Sequence, residues 1–182
     1  ETDKNALSEL MMQELLKAIS DASKDNSVKV IVIASTGDVF CSGHNLKEIN
    51  EAKKSDDNGE SYYLGLFKIC SSLMQLIIHC SKPVIAEVNG IATAAGCQLV
   101  ASCDLAVSSD SSKFATPGVN IGLFCSTPMV ALSRNVSQKN SMKMLLTGDM
   151  ISADEAKRIS LINDCVPEEQ LTKLVMDLAE KI

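Results

Sequence analysis

Residues 83–99 read PVIAEVNGIATAAGCQL, which is a short apolar strand, an Asn-Gly turn, a run of very small side chains and the start of a helical pattern. Small residues at a strand-to-helix turn let a ligand approach the backbone closely. The unpaired N–H groups of the first helical turn favour negative charge on that ligand, as an oxyanion hole requires. A tightly packed turn without a ligand explains the same segment, so this stretch alone leaves both interpretations open.

A second segment upstream has the same arrangement. Residues 28–35 are β-branched and almost continuously apolar, which predicts a buried strand. Residues 36–48, TGDVFCSGHNLKE, then provide a turn around Gly43 and the start of a short helix. The sequence therefore offers two separate turns, each of which could present a backbone donor to the same ligand.

Three motifs resemble those of the enoyl-CoA hydratase/isomerase (crotonase) family, and they occur in the family's order. The motif F-x-x-G-x-D-L-K-E is matched by residues 40–48, with Asn45 in the place of the aspartate. P-V-I-A-x-V-N-G-x-A-x-G-G-G-C-E-L is matched by residues 83–99, and F-x-x-P-E-x-x-x-G by residues 114–122. One subgroup of the family is especially similar, because its members also read SGH, ATAAGCQ and ATPGVN at these places.

The resemblance implies an α/β fold, the crotonase superhelix of ββα turns, with residues 1–182 forming a single core domain. In this family a carboxy-terminal helical segment follows the core and packs subunits into homotrimers, sometimes paired into hexamers. We expect most of that segment to be missing here, because the chain stops at Ile182. The resemblance also implies an acyl-CoA or enoyl-CoA substrate, with coenzyme A as part of the substrate and no separate cofactor. The expected location is the bacterial cytoplasm or the mitochondrial matrix.

By motif position, the resemblance assigns the oxyanion hole to the backbone N–H groups of His44 and Ala95. Alanine replaces the family's usual glycine at position 95, but it still supplies an N–H. Further substrate contacts are expected in the amino-terminal segment and in all three motifs, at Lys4, Ala6, Ser42, Asn45, Leu46, Gly96 and Pro117.

The acid–base residues of the family's hydratases are replaced in this chain. Their two glutamates correspond to Gln98 and Gly118, and the aspartate that some related isomerases and dehalogenases carry eight residues later corresponds to Ser126. Glutamine can orient a water molecule but cannot take its proton, and glycine offers no group at all. General acid–base catalysis typically contributes about 10²–10⁴-fold, so we expect hydratase activity to be weak or altered unless another group substitutes.

Other side chains near the motifs have two interpretations each. The His44 imidazole could titrate near neutral pH, although we favour a side chain that points away while only its N–H acts. Cys97 and Cys125 could be nucleophiles if a helix start stabilised their thiolates, but buried spectator thiols are favoured. Lys4 and Lys47 are either contacts for the phosphates or adenine of coenzyme A, or solvated lysines.

Composition excludes several classes of function. The net charge of −6 argues against general nucleic-acid binding. The seven cysteines contain no C-x-x-C pair and only two histidines could assist them, so no metal site is predicted. Reduced, buried thiols indicate a reducing compartment. No apolar run approaches the ~20 residues of a membrane span, so no membrane insertion is expected.

Three local patterns in the sequence predict where helices lie. A helix over residues 8–23 is predicted to begin at the N-cap Ser8, and a capping box joins Ser152 to Glu155. A second helix over residues 63–78 is predicted to turn four side chains inward, namely Phe67, Cys70, Met74 and Ile77.

Two classes of function therefore stay open at the level of sequence. One is an enzyme that acts on acyl-CoA or enoyl-CoA in fatty-acid metabolism with weak or altered chemistry. The other is a non-catalytic acyl-CoA-binding or regulatory member of the family. A generic α/β hydrolase is disfavoured because the chain has no G-x-S-x-G nucleophile elbow.

Overall fold

The computed structural model of the protein describes residues 4–182. Within that range the helices are α1 (Glu9–Lys24), α2 (Leu46–Ala52), α3 (Glu60–Ile78), α4 (Ala95–Ser102), α5 (Ser126–Asn135), α6 (Gln138–Thr147), α7 (Ala153–Arg158) and α8 (Glu168–Lys181). The strands are β1 (Ile31–Ile33), β2 (Val39–Cys41), β3 (Val84–Val88), β4 (Ile91–Thr93), β5 (Leu105–Ser109), β6 (Lys113–Ala115), β7 (Ile151–Ser152) and β8 (Asp164–Val166). A 3₁₀ helix, Pro117–Ile121, precedes α5.

The strands form two four-stranded sheets whose members alternate along the chain. One sheet has the order β1-β3-β5-β8 and the other has the order β2-β4-β6-β7. Neighbouring strands are parallel except β6 and β7, which are antiparallel. Each strand pair along β1–β6 therefore adds one strand to each sheet before the chain returns through helical structure. The predicted α/β architecture with its ββα repeat is confirmed.

Helix α4 lies in the middle of the molecule and is buried on every side, since all of its residues from Ala95 to Ser102 are buried. It packs against β4, α3 and α5. A Cβ on Gly96 would come within 2.2 Å of the carbonyl oxygen of Cys41 in β2. Only glycine at this position allows α4 to begin so close to the end of β2.

Two predicted helix starts are confirmed by their hydrogen bonds. Ser8 Oγ accepts a hydrogen bond from the Met11 N–H at 3.1 Å, so α1 begins at Glu9. Ser152 Oγ accepts one from the Glu155 N–H at 3.2 Å, and α7 begins at the next residue. These local patterns determine the helix ends because a capping side chain satisfies an otherwise unpaired amide.

Helix α3 differs from the sequence prediction in two ways. It begins at Glu60, and Phe67, which we predicted to face inward, is 41% exposed, whereas Cys70, Met74 and Ile77 are buried as predicted. With 19 residues it is also long and apolar enough to cross a membrane by length and composition, so the expectation that no run approaches that length was wrong. Its buried face packs against α1 and α4, as the inner face of a core helix does.

Candidate active site

The three family-like motifs meet at one edge of the second sheet. They follow β2, β4 and β6, which are adjacent and parallel in that sheet, so their carboxyl ends lie side by side. The turns after β2 and β4 are in contact, because a Cβ on Gly43 would lie 3.0 Å from Ala94 Cβ and 3.3 Å from the Ala95 nitrogen. Gly43 has a φ of +89°, which favours glycine, so both its backbone conformation and the available space exclude a side chain.

The amides of His44 and Ala95 are the donors available at this contact. Ala95 is the first residue of α4, so its N–H has no acceptor within the helix. Among the hydrogen bonds formed within residues 4–182, neither amide donates one, whereas the neighbouring Ala94 N–H donates to the Ala115 carbonyl at 3.0 Å. Two unused amides on adjoining turns are the arrangement that an oxyanion hole needs.

Ala94 has an unusual backbone conformation, with a φ of +52° and a ψ of −119°. A positive φ is uncommon for a residue that carries a Cβ. Such strain costs about 1–3 kcal/mol and is often found at functional sites. The family motif has glycine at this place, so this chain carries a residue with a Cβ at a position whose backbone conformation favours glycine.

The His44 ring contacts Phe67 and the backbone of Leu7. The ring centroids of His44 and Phe67 are 5.5 Å apart in an edge-to-face arrangement, and Nδ1 lies 3.4 Å from the Leu7 carbonyl oxygen. Nε2 is buried without a hydrogen-bond partner in the described chain. Burial lowers the pKa of His44, while the Leu7 carbonyl and the Glu48 charge oppose that effect. The ring is therefore neutral at neutral pH.

Gln98 lies one helical turn after Ala95 and is buried, with 7% of its surface exposed. Its Oε1 has no hydrogen-bond partner within residues 4–182. A buried polar atom without a partner costs free energy unless a water or a ligand satisfies it. Gln98 is thus a buried polar side chain whose Oε1 could accept a hydrogen bond from a bound ligand or water.

Gly118 lies in the 3₁₀ helix after β6, where there is no space for a side chain. Its N–H donates to Cys125 Sγ at 3.3 Å, and a Cβ at this position would lie 2.3 Å from the Leu123 carbonyl oxygen. Ser126, the other position predicted to have lost a carboxylate, is exposed at the start of α5. Neither position supplies an acid or a base.

The two cysteines near the site are poor nucleophiles. Burial raises the pKa of Cys97 to about 12, with a smaller contribution from Cys125. Burial also raises the pKa of Cys125, although the Gly118 N–H lowers it in part. Both thiols are therefore protonated at neutral pH, which favours the spectator interpretation.

The predicted contacts for coenzyme A surround the two turns. The Ser42 N–H donates to the Lys4 carbonyl oxygen at 3.3 Å, which places residues 4–7 beside the first turn. Asn45 caps α2, since its Oδ1 accepts from the Lys47 N–H at 3.0 Å. Leu46 is exposed next to it. Gly96 lies against β2, Pro117 follows β6, and Ala6 lies beside Lys4, so all seven predicted contact positions adjoin the same edge of the sheet.

A groove of about 450 Å³ extends from Gln98 between α3 and α5. It is lined by Gln98 and Ser102 of α4, by six apolar side chains (Phe67, Cys70, Met74, Ile78, Val130 and Ala131) and by four polar ones (Ser71, Gln75, His79 and Thr127). Arg134 also lines it, at the last turn of α5. Sequence reasoning missed this groove and Arg134. The recurrence of Phe67, Cys70, Met74 and Ile78 on one face of α3 was its only sequence signal.

Within residues 4–182 there is no group of three or more His, Cys, Asp or Glu side chains that could hold a metal ion.

Comparison with known proteins gives consistent results for sequence and structure. A family described as enoyl-CoA hydratase/isomerase matches residues 1–182. The chain is 52% identical over 179 residues to the mouse protein named enoyl-CoA hydratase domain-containing protein 3, mitochondrial. That match covers 98% of this chain and 58% of the mouse protein, so the chain spans little more than half of that relative's length.

Two crystal structures superpose closely on the fold. Human enoyl coenzyme A hydratase domain-containing protein 3 gives a TM-score of 0.92 at 49% identity, covering 99% of this chain and 69% of that one. An enoyl-CoA hydratase from Mycobacterium smegmatis gives a TM-score of 0.92 at 46% identity, covering 100% and 68%.

Proposed function

This chain belongs to the enoyl-CoA hydratase/isomerase family, and on that premise we propose that it binds acyl-CoA and enoyl-CoA thioesters between the His44 and Ala95 amides. The observation that carries the proposal is the contact between the two turns, where both amides lack a protein acceptor. Two donors on a thioester oxygen stabilise the enolate that forms when a proton leaves the neighbouring carbon. Loss of one such donor typically costs about 2.7–4 kcal/mol of transition-state stabilisation.

Coenzyme A enters as part of the substrate, and no separate cofactor is required. The side of the turns that carries Lys4, Ser42, Asn45 and Leu46 is the proposed surface for its nucleotide and pantetheine portions. With a net charge of −6 the protein does not attract a polyanion as a whole, so local groups must bind the phosphates. Lys4 is exposed beside the first turn and is the candidate for that contact.

The proposed activity is that of a weak or altered enzyme of the hydratase/isomerase type in fatty-acid metabolism. Gln98 can hold a water or a ligand hydroxyl through its unpartnered Oε1, but it cannot remove a proton. Gly118 and Ser126 provide no carboxylate. The site therefore retains the stabilisation of an enolate and lacks the acid–base pair that hydration uses.

A non-catalytic acyl-CoA-binding or regulatory protein is the second candidate. The observation that favours it is the absence of space at Gly118, where Leu123 and Cys125 occupy the position of a side chain. The site therefore lacks a second carboxylate and also has no space for one at this position. Binding of a thioester without turnover would distinguish this candidate from the first.

We further propose that the protein assembles as a homotrimer or a hexamer and works in the mitochondrial matrix or the bacterial cytoplasm. The assembly follows from the family. The location follows from relatives of two kinds, since the mouse protein is named as mitochondrial and another relative is from Mycobacterium smegmatis. Light scattering that shows only monomer at micromolar concentrations would contradict the assembly.

The direct test is the infrared carbonyl band of bound crotonyl-CoA. Two amide donors should shift this band to lower frequency, and Ala95→Pro, which removes one N–H, should reverse most of that shift. Gln138→Pro is the matched control because it places proline at the first position of α6, after a residue with a compatible ψ of 149°. A full shift in Ala95→Pro would contradict the assignment.

Ala94 has a ψ of −119°, which is unfavourable before a proline. Because Ala95→Pro can therefore disturb folding, a second variant is needed. An ester in place of the Ala94–Ala95 amide removes the same hydrogen without adding a proline ring. If folded ester-containing protein gives the full shift, the Ala95 donor is excluded even where the proline variant does not fold.

A further inference from the structure

The groove that leaves the proposed active site is lined mostly by apolar side chains and ends at a positive charge. It begins at Gln98, which is more than nine-tenths buried and has an unpartnered Oε1, so it lacks a hydrogen-bonding group that a ligand could supply. Phe67 connects this end of the groove with the site, since its ring also packs against His44. A thioester held by the two amides would therefore direct its acyl chain into this groove.

Arg134 is the only arginine or lysine among the groove residues, and no acidic residue lines the groove with it. Within the described chain no carboxylate lies within ion-pair distance of its guanidinium, whereas Arg158 on α7 is paired with Glu155. Arginine recognises carboxylates well because its planar fork can donate two hydrogen bonds to them. A mostly apolar groove with an unpaired arginine at its end complements an acyl chain that carries a negative charge at its far end.

We infer that this groove binds acyl thioesters with a carboxylate at the distal end of the acyl chain, and that Arg134 is the residue that selects them. The inference rests on the proposed function, since it assigns the preferred substrate class of the same site. It concerns recognition only, and no bond is made or broken at Arg134.

The helix geometry indicates which chain lengths should benefit. The α5 side of the groove extends from Thr127 to Arg134, which is seven residue steps or about 10 Å along a helix that rises 1.5 Å per residue. An acyl chain of four carbons is shorter than this side of the groove. Arg134 is therefore expected to increase the affinity for dicarboxylic acyl chains of medium length, and not for short ones.

The experiment compares thioesters that differ only in the distal group. Hexanoyl-, octanoyl- and decanoyl-CoA are paired with adipoyl-, suberoyl- and sebacoyl-CoA, and Kd is measured for each by titration calorimetry. We expect the acid-terminated member of at least one pair to bind about fivefold more tightly, an effect of the size seen for partly exposed ion pairs. The preference should shrink as salt is added.

Three variants assign the preference to Arg134. Arg134→Gln should abolish the preference, so that the two Kd values of each pair become equal, and Arg134→Lys should retain part of it. Lys139→Gln is the charge-matched control, because it removes one exposed positive charge from α6 outside the groove. A cation in the last turn of a helix also stabilises that helix, but such a structural role would not change the ratio of two Kd values.

The outcomes separate this inference from the function on which it rests. Equal affinities within every pair, or a preference that persists in Arg134→Gln, would overturn the inference and leave thioester binding intact. Failure of all six thioesters to bind would overturn the proposed function itself.

Discussion

Gly118 lies so close to Leu123 that a Cβ at position 118 would be 2.3 Å from the Leu123 carbonyl oxygen. The Leu123 N–H donates back to the Gly118 carbonyl at 2.9 Å, which closes this turn. Gly118 does not have a positive φ, so glycine is required here for space and not for backbone conformation. The position at which the family's hydratases carry a glutamate can take a side chain only if residues 117–125 rearrange.

We therefore expect Gly118→Ala to lower the free energy of unfolding by about 1–3 kcal/mol, the usual cost of overpacking. Gly65→Ala is the control, because Gly65 is an exposed residue of α3 with nothing within 4 Å of the added methyl group. That change should raise stability by up to about 1 kcal/mol. Urea unfolding of both variants measures the difference, and equal stability of Gly118→Ala and the wild type would contradict the packing argument.

Ala94→Gly should stabilise the protein by about 1 kcal/mol. Relief of a strained positive φ is worth about 1–3 kcal/mol, which exceeds the entropic cost of about 0.4–1 kcal/mol for adding a glycine. Ala18→Gly, at an exposed position within α1, should instead destabilise the protein by about 1 kcal/mol. The two variants are compared by thermal unfolding, and a loss of stability in Ala94→Gly would show that its Cβ packing matters more than its strain.

Hydration of crotonyl-CoA by the wild type should be about 10²–10⁴-fold slower than by a member with both glutamates. Gln98→Glu alone should raise the rate at least tenfold, since it restores one carboxylate without enlarging the side chain. Gln98→Met has a similar size and no proton acceptor, and it should not raise the rate.

The hydration rates of these three proteins are measured by the loss of absorbance at the enoyl thioester band. Turnover by the wild type at ordinary hydratase rates would show that another group acts as the base. His44 would be the first side chain to replace in that case.

The burial of His44 makes stability depend on pH. Burial lowers the pKa of His44 from its ordinary 6.5, so near that pH the unfolded chain binds a proton that the folded protein does not. Acid therefore favours unfolding: the contribution is fully present above pH 6.5 and is lost as the pH falls toward the lowered value. Urea unfolding at a series of pH values should show this decrease in the wild type.

His44→Gln should remove the decrease in stability at acid pH. His79→Gln should retain that decrease, because His79 is exposed at the end of α3. A decrease of the same size in all three proteins would assign it to groups other than His44.

Local sequence patterns predicted the parts of the fold that depend on local physics. Ser8 and Ser152 cap helices where their spacing predicted it, because a side-chain oxygen needs only an amide three residues away. The ββα repeat followed from the resemblance, whereas the alternation of its strands between two sheets was seen only in the structure. The two turns around Gly43 and Ala95 were also identified in advance, as places where backbone amides are left without acceptors.

The tertiary structure decided the features that depend on packing between segments distant in the chain. Phe67 was predicted to be buried because it follows the periodicity of α3, but only the positions of α1 and α4 determine which part of that helix is covered. The groove is lined by residues from Phe67 to Arg134 and exists because α3 and α5 flank α4. Sequence by itself determined the order of the motifs and the donors they offer. The space at Gly118, the unpartnered oxygen of Gln98 and the charge at the end of the groove depend on packing between these distant elements, which no local pattern specifies.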